Sequence, residues 1–280
     1  MNILNTEQFE WPEDENSIGW KLSNQTSLAR VAAKELGSPA EIQRRNLQHI
    51  LQWIYRWGFS SRELISDVLG RANKSHAQRL VKNGFLRPAS IKGYPTYFVL
   101  TEKGLAEALR DAMTLHEYKE LDPYRVHLPN LHHDLLVQRQ VLLAIQRGSY
   151  VNYQSPRMYS YPSDDYLRKI PDAILIRHED GELSSGELRI ALEIELTPKW
   201  NNKLDDFVFN VLEDIQAQRT NGCLVVTDSR AILDRYREVF KPGTRIKIWE
   251  RDNNGKAIDS GKSYVVPEWA SKFVTFQKVD

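Results

Sequence analysis

Between residues 42 and 59 the apolar side chains Leu47, Ile50, Leu51, Ile54 and Trp57 recur at helical steps, which predicts an amphipathic helix ended by Gly58. "SSRELISDVLG" predicts a short second helix, capped by Ser60 or Ser61 and closed by Gly70. A third is expected over "NKSHAQRLVKNGF", with Asn73 as its cap, Asn83-Gly84 as its end, and Leu80, Val81 and Phe85 packed inward. "LRPASIKGYPTYFVLTEKG" then reads as two strands joined by a turn from Lys92 to Pro95, and "LAEALRDAMTLHEY" as a closing helix. Three helices followed by a hairpin is the order of a winged helix-turn-helix. The periodicity fades after that: residues 116–130 mix charges with Pro123 and Pro129 and read as a linker.

From Leu131 a second pattern begins. "LHHDLLVQRQVLLAIQRG" predicts a helix ended by Gly148, and "YVNYQSPRMYSY", "KIPDAILI" and "LRIALEIELTPK" predict strands. "NKLDDFVFNVLEDIQAQ" is helical, "GCLVVT" is a short strand buried on both faces, "SRAILDRYREVF" is a helix and "TRIKIWERD" a last strand. This order implies a mixed sheet with helices on both faces. The expected fold class is therefore α+β. An arm spans 1–40, a winged helix 41–115, a linker 116–130, and a mixed-sheet domain 131–280.

Net charge over the 280 residues is only +1, but its distribution changes the picture. Residues 41–110 hold 12 Lys and Arg against 5 acids, so that stretch is strongly basic and the remainder mildly acidic. A basic module joined to an acidic one points to nucleic acid as partner of the first. Within the third helix Ser75, Arg79 and Lys82 share a face, with Lys74 and His76 beside them and Lys92 at the wing tip, the positions from which such a module meets DNA. A basic helix face can also be only a solvated one, and base specificity cannot be read from it.

The single cysteine, Cys223, excludes a disulfide within the chain and a Cys-rich zinc site. The N-terminal residues have neither a basic nor an apolar signal region, and no apolar run approaches the ~20 residues that span a bilayer. The expectation is a soluble, cytoplasmic protein without a membrane segment.

The candidate chemistry lies in "RIALEIELTPK". Leu192, Ile194 and Leu196 alternate with Glu193 and Glu195, so two carboxylates share one face of an apolar strand. Asp172, following Pro171 at the head of the preceding strand, approaches them if the two strands form a hairpin. Three carboxylates at a strand end suit a hard divalent cation, Mg2+ or Mn2+. The alternative is a solvated sheet face where Arg168, Arg189 or Lys199 pairs with the acids.

Pro171-Asp172, a gap of about twenty residues, the acid-x strand and the following helix resemble the PD-(D/E)XK restriction-endonuclease-like pattern. There Asp172 matches the first acid and Glu193 the second, while Glu195 stands where a lysine is usual; Lys199 or Lys203 could supply that cation. With the winged helix and "LHHDLLVQ" ahead of it, the chain more narrowly resembles the replication-relaxation proteins and MobC-type plasmid relaxases. That resemblance implies a metal-dependent endonuclease nicking DNA at a transfer origin, with Asp172, Glu193 and Glu195 as metal ligands and Lys199 as a catalytic residue. Its partners would be double-stranded and nicked DNA and other mobilisation or replication proteins. His133 and Asp134 open a helix that often lends a residue to such a site. Some relaxases use a tyrosine, but the residues promote none of Tyr153, Tyr159, Tyr161 and Tyr166 to that role. The other reading is a non-catalytic DNA-binding replication or transcription regulator whose nuclease-like domain is degenerate.

Overall fold

A computed structural model describes residues 37–70, 75–112, 115–158, 170–178, 186–252 and 256–279. Helix α1 (Pro39–Trp57) starts ahead of its apolar stripe, because Ser38 and Glu41 form a capping box. It ends at Gly58, whose φ of 88° is the left-handed turn the sequence required. Strand β1 (Ser60–Ser61) leads into α2 (Arg62–Val68), capped by the Ser61 hydroxyl rather than Ser60. Helix α3 (His76–Lys82) follows; the expected cap Asn73 lies outside the described residues. Strands β2 (Leu86–Ala89) and β3 (Tyr97–Leu100) form the expected antiparallel hairpin, and β1 completes a three-stranded sheet by pairing with β3. Helix α4 (Glu102–Leu109) is capped by Thr101.

The second half opens with α5 (Leu131–Gln146), then β4 (Asn152–Gln154), β5 (Ala173–His178) and β6 (Glu187–Ile194). Helix α6 (Asn202–Gln216), β7 (Gly222–Thr227) and α7 (Arg230–Val239) come next, then β8 (Arg245–Arg251), β9 (Ala257–Val265), α8 (Ala270–Phe273) and β10 (Val274–Lys278). Five strands form a mixed sheet in the order β10-β7-β6-β5-β4, with β5 antiparallel to β6 (Ala173 opposite Leu192) and β7 parallel to β6 (Val225 opposite Glu193). Both faces are covered, as a central parallel pair requires. Leu175, Leu192 and Ile194 pack with Val137 and Val141 of α5 on one face. Ile174, Ala191 and Val225 pack with Phe207 of α6 and Tyr236 of α7 on the other.

The architecture is α+β, with helices and mixed sheets, and departs from the sequence reading in three places. The strand at 245–251 does not join the main sheet but pairs with β9 in a separate hairpin. The sheet edge is filled by β10, which the sequence reading did not anticipate. The segment read as a linker is packed: Tyr118 is buried, its hydroxyl donating to the Gly58 carbonyl at 2.6 Å and accepting the Leu100 amide at 2.8 Å. Core residues run without a break from α1 through α5 to β5 and β6.

Candidate functional site

Beyond the strand ladder, a side-chain hydrogen bond ties the residue before β5 to the end of β6. The Asp172 carboxylate accepts the amide of Ile194 at 2.8 Å, so it lies beside the residue that follows Glu193. Helix α5 delivers His133 to the same point, where Nε2 stands 3.3 Å from Asp172 Oδ2 and 3.2 Å from the Ile194 carbonyl oxygen. Its Nδ1 stands 3.1 Å from Asp134. With an acid at each ring nitrogen, first Asp134 and then Asp172, the His133 pKa is raised to about 10 despite partial burial. His133 is therefore an imidazolium at neutral pH.

Glu193 and Glu195 occupy the sheet face towards α6, as their alternation requires, and each is only 4% exposed. Their surroundings differ. Glu195 carries a donor on each oxygen: Lys199 Nζ on Oε1 and the Tyr236 hydroxyl, at 3.0 Å, on Oε2. Burial pushes the Tyr236 phenol up to about 12, which keeps it a proton donor. The Lys199 ammonium also lies 4.6 Å from the Phe207 ring centroid, and this confines it further. Glu193 instead lines a cleft of about 300 Å3, together with Lys199, Lys203, Asn210 and Arg251. Asp206 in the same cleft has its carboxyl pKa raised by burial.

The three acids thus share one end of the sheet but not one focus. Among the described residues, no group of three His, Cys, Asp or Glu side chains is placed to hold a metal ion. Nor is the Glu pair on a solvated face; Glu195 is matched by Lys199 in a buried setting, and Arg189 turns to Gln154. Arg168 lies outside the described residues, as do Tyr159, Tyr161 and Tyr166. Tyr153 is a core residue, stacked on Trp57 and against Trp53.

Ser75 just before α3, Arg79 and Lys82 on it, and Lys92 at the hairpin turn are exposed, while Lys74 lies outside the described residues. His76 needs correction. It is 5% exposed and faces inward, with Nδ1 2.9 Å from the Arg79 guanidinium. Helical geometry explains this: His76 and Leu80 are four residues apart and share the buried side.

The sequence reading missed Tyr236, which stands forty-one residues after the Glu195 it touches. It also missed Trp200, 56% exposed at the mouth of the loop between Lys199 and α6, with the Arg235 guanidinium 3.7 Å from its ring centroid. A Trp directly after Lys199, in the polar stretch "TPKWNNK", was the available signal.

No family model matches the chain, and no curated protein or solved structure is significantly similar to it. Among the described residues no helix is long and apolar enough to cross a membrane.

Proposed function

We propose that this protein binds duplex DNA and cuts one strand with the help of Mg2+ or Mn2+, acting as a relaxase-type nickase at a transfer origin. In that role it starts mobilisation of a plasmid or integrative element in the cytoplasm, alongside other mobilisation or replication proteins. Residues 41–115 are read as a winged helix, with α3 as recognition helix and Lys92 on the wing, and residues 131–280 as a restriction-endonuclease-like domain. The observation that carries the reading is the junction of β5 and β6. Asp172 is bound to the amide next to Glu193, and Lys199 is brought by its ion pair to residue 195, where the family pattern has its lysine.

Mg2+ is ordinarily held by one or two carboxylates, with waters and phosphate oxygens completing its shell. On this reading Asp172 and Glu193 would be those carboxylates, the cation taking the place of the His133 ring at Asp172. Glu195, held on one oxygen by Lys199 and on the other by Tyr236, is reassigned from metal ligand to the group that positions Lys199. The cation, when bound, supplies charge to offset the scissile phosphate and acidifies its water. Lys199 orients the attacking water and stabilises negative charge developing on the phosphate, while Lys203, lining the same cleft, balances charge on a neighbouring phosphate.

The test is conversion of a supercoiled plasmid carrying the element's own origin to open circle. It is expected only with added Mg2+ or Mn2+, and Asp172→Ala or Glu193→Ala should abolish it. Undiminished nicking by either variant removes the reading. A second reading is favoured by the contacts of Asp172, which the His133 imidazolium and the Ile194 amide already satisfy. On that reading the domain only holds DNA, as in a replication or transcription regulator. Duplex binding would then survive both substitutions, and no metal would support cleavage.

A further inference from the structure

We propose that Trp200 and Arg235 form a binding site for an unpaired nucleotide of single-stranded DNA at the rim of the cleft. Trp200 belongs to the short loop between β6 and α6, and its carbonyl accepts the Lys203 amide at 3.1 Å. Asn201, the next residue, holds a positive φ of 47°, a conformation an L-residue adopts only when its surroundings impose it. The backbone that follows the indole is therefore constrained, yet the residue is 56% exposed. Exposed tryptophan is costly to leave in water, and this one is not isolated. The Arg235 guanidinium stands 3.7 Å from its ring centroid, so one face is covered by a cation while much of the ring stays open to solvent.

Arg235 adds a second observation. Its Nε is shielded from water but has no hydrogen-bond partner among the described residues. A buried donor left unmet is unfavourable unless a ligand meets it. A planar ring backed on one side by a guanidinium suits one nucleotide: the base stacks on the indole, and the phosphate meets the guanidinium once the arginine turns its shielded Nε–H outward. The placement follows from the chain. Arg235 is the chain neighbour of Tyr236, which binds Glu195, and Trp200 is the chain neighbour of Lys199, so both side chains are attached to backbone anchored at the site, although neither lines the cleft itself.

This inference deepens the DNA-cutting reading and rests on it for the identity of the ligand. It assigns the substrate a locally unpaired strand beside the scissile phosphate, as a nicking enzyme needs if it is to enter a melted origin.

Binding of the full chain to a short labelled oligothymidylate, followed by fluorescence anisotropy in EDTA so that nothing is cut, tests it. Trp200→Ala should weaken that binding roughly 5- to 100-fold and Trp200→Phe should largely restore it. An oligomer of abasic sugars should bind the unaltered chain as weakly as the oligothymidylate binds Trp200→Ala. Arg235→Ala should weaken binding and lower the salt slope by about one. A blunt hairpin duplex should bind all variants alike. Equal affinity of Trp200→Ala and the parent for oligothymidylate overturns the inference, and so does equal affinity for the abasic oligomer. Duplex binding with no oligothymidylate binding removes this site but leaves the DNA reading intact. Failure to bind either removes both.

Discussion

His133 shows how one side chain ties the site to the stability of the whole chain. Its ring bridges Asp134 and Asp172, and its folded pKa of about 10 lies well above the ordinary value near 6.5. A raised pKa means the folded state binds the proton more tightly, so the stabilisation is complete below about pH 6.5 and is lost as pH rises towards 10. In EDTA the urea midpoint should fall between pH 7 and 10, and His133→Gln should flatten that decline. A variant with the parent's pH dependence would show that the bridge is not made in solution. Much of this site was legible in sequence. Period-2 alternation put Glu193 and Glu195 on one face, and Pro171-Asp172 marked the strand head. The partners were not legible, because Tyr236 reaches Glu195 only once α7 has docked against the sheet, and nothing local in "LDRYREVF" signals that contact.

At the scale of elements, caps and glycines carried most of what the sequence predicted correctly. Ser61 and Gly58 mark helix ends that the structure realises, since each satisfies backbone groups that a helix cannot satisfy itself, whereas the cap Thr101 went unread and α4 starts three residues before the segment expected to be helical. Gly104 makes a sharper point. It lies inside α4, where glycine is normally unfavourable, but a Cβ there would collide with the Phe85 carbonyl oxygen. Gly104→Ala should therefore destabilise the protein by at least about 2 kcal/mol in urea titration, although helix propensity alone predicts a gain. A neutral or stabilising result would mean that α4 does not pack so closely on the hairpin. The misread elements share a cause. Polar, alternating β9 and short β10 carry weak local signals, and their partners are set by which strand edge is left open. Helix α1 was expected to bury one stripe, yet Trp53 and Tyr55 are buried too, because α5 and the 116–130 segment cover what would otherwise be its wet side.

For the molecule as a whole, Gln138 is the residue to watch. It is fully buried on α5, where its side-chain oxygen accepts the Trp53 indole N–H at 3.0 Å and the Ser60 hydroxyl at 2.9 Å. Its amide donates to the Phe59 carbonyl at 3.1 Å. These bonds join the two halves through a shared core rather than a flexible connection. Thermal unfolding followed by tryptophan fluorescence and by far-ultraviolet circular dichroism should show one coincident transition. Gln138→Ala should cost about 3 kcal/mol, since it strands several buried polar groups at once. Two resolved transitions in the parent protein would instead mean two independent domains.

By itself the sequence determined the helices with strong periodicity, the hairpin, the mixed α+β class and the strand that carries paired acids. All of these follow from the spacing of apolar residues and from caps within a few positions, so the information is local. Only the tertiary structure decided that the supposed linker is packed, that His76 faces inward, that Glu195 is held by Lys199 and Tyr236, and that Trp200 meets Arg235. Those outcomes depend on which surfaces meet across long stretches of chain, and side-chain partners of that kind leave no period in the sequence to read.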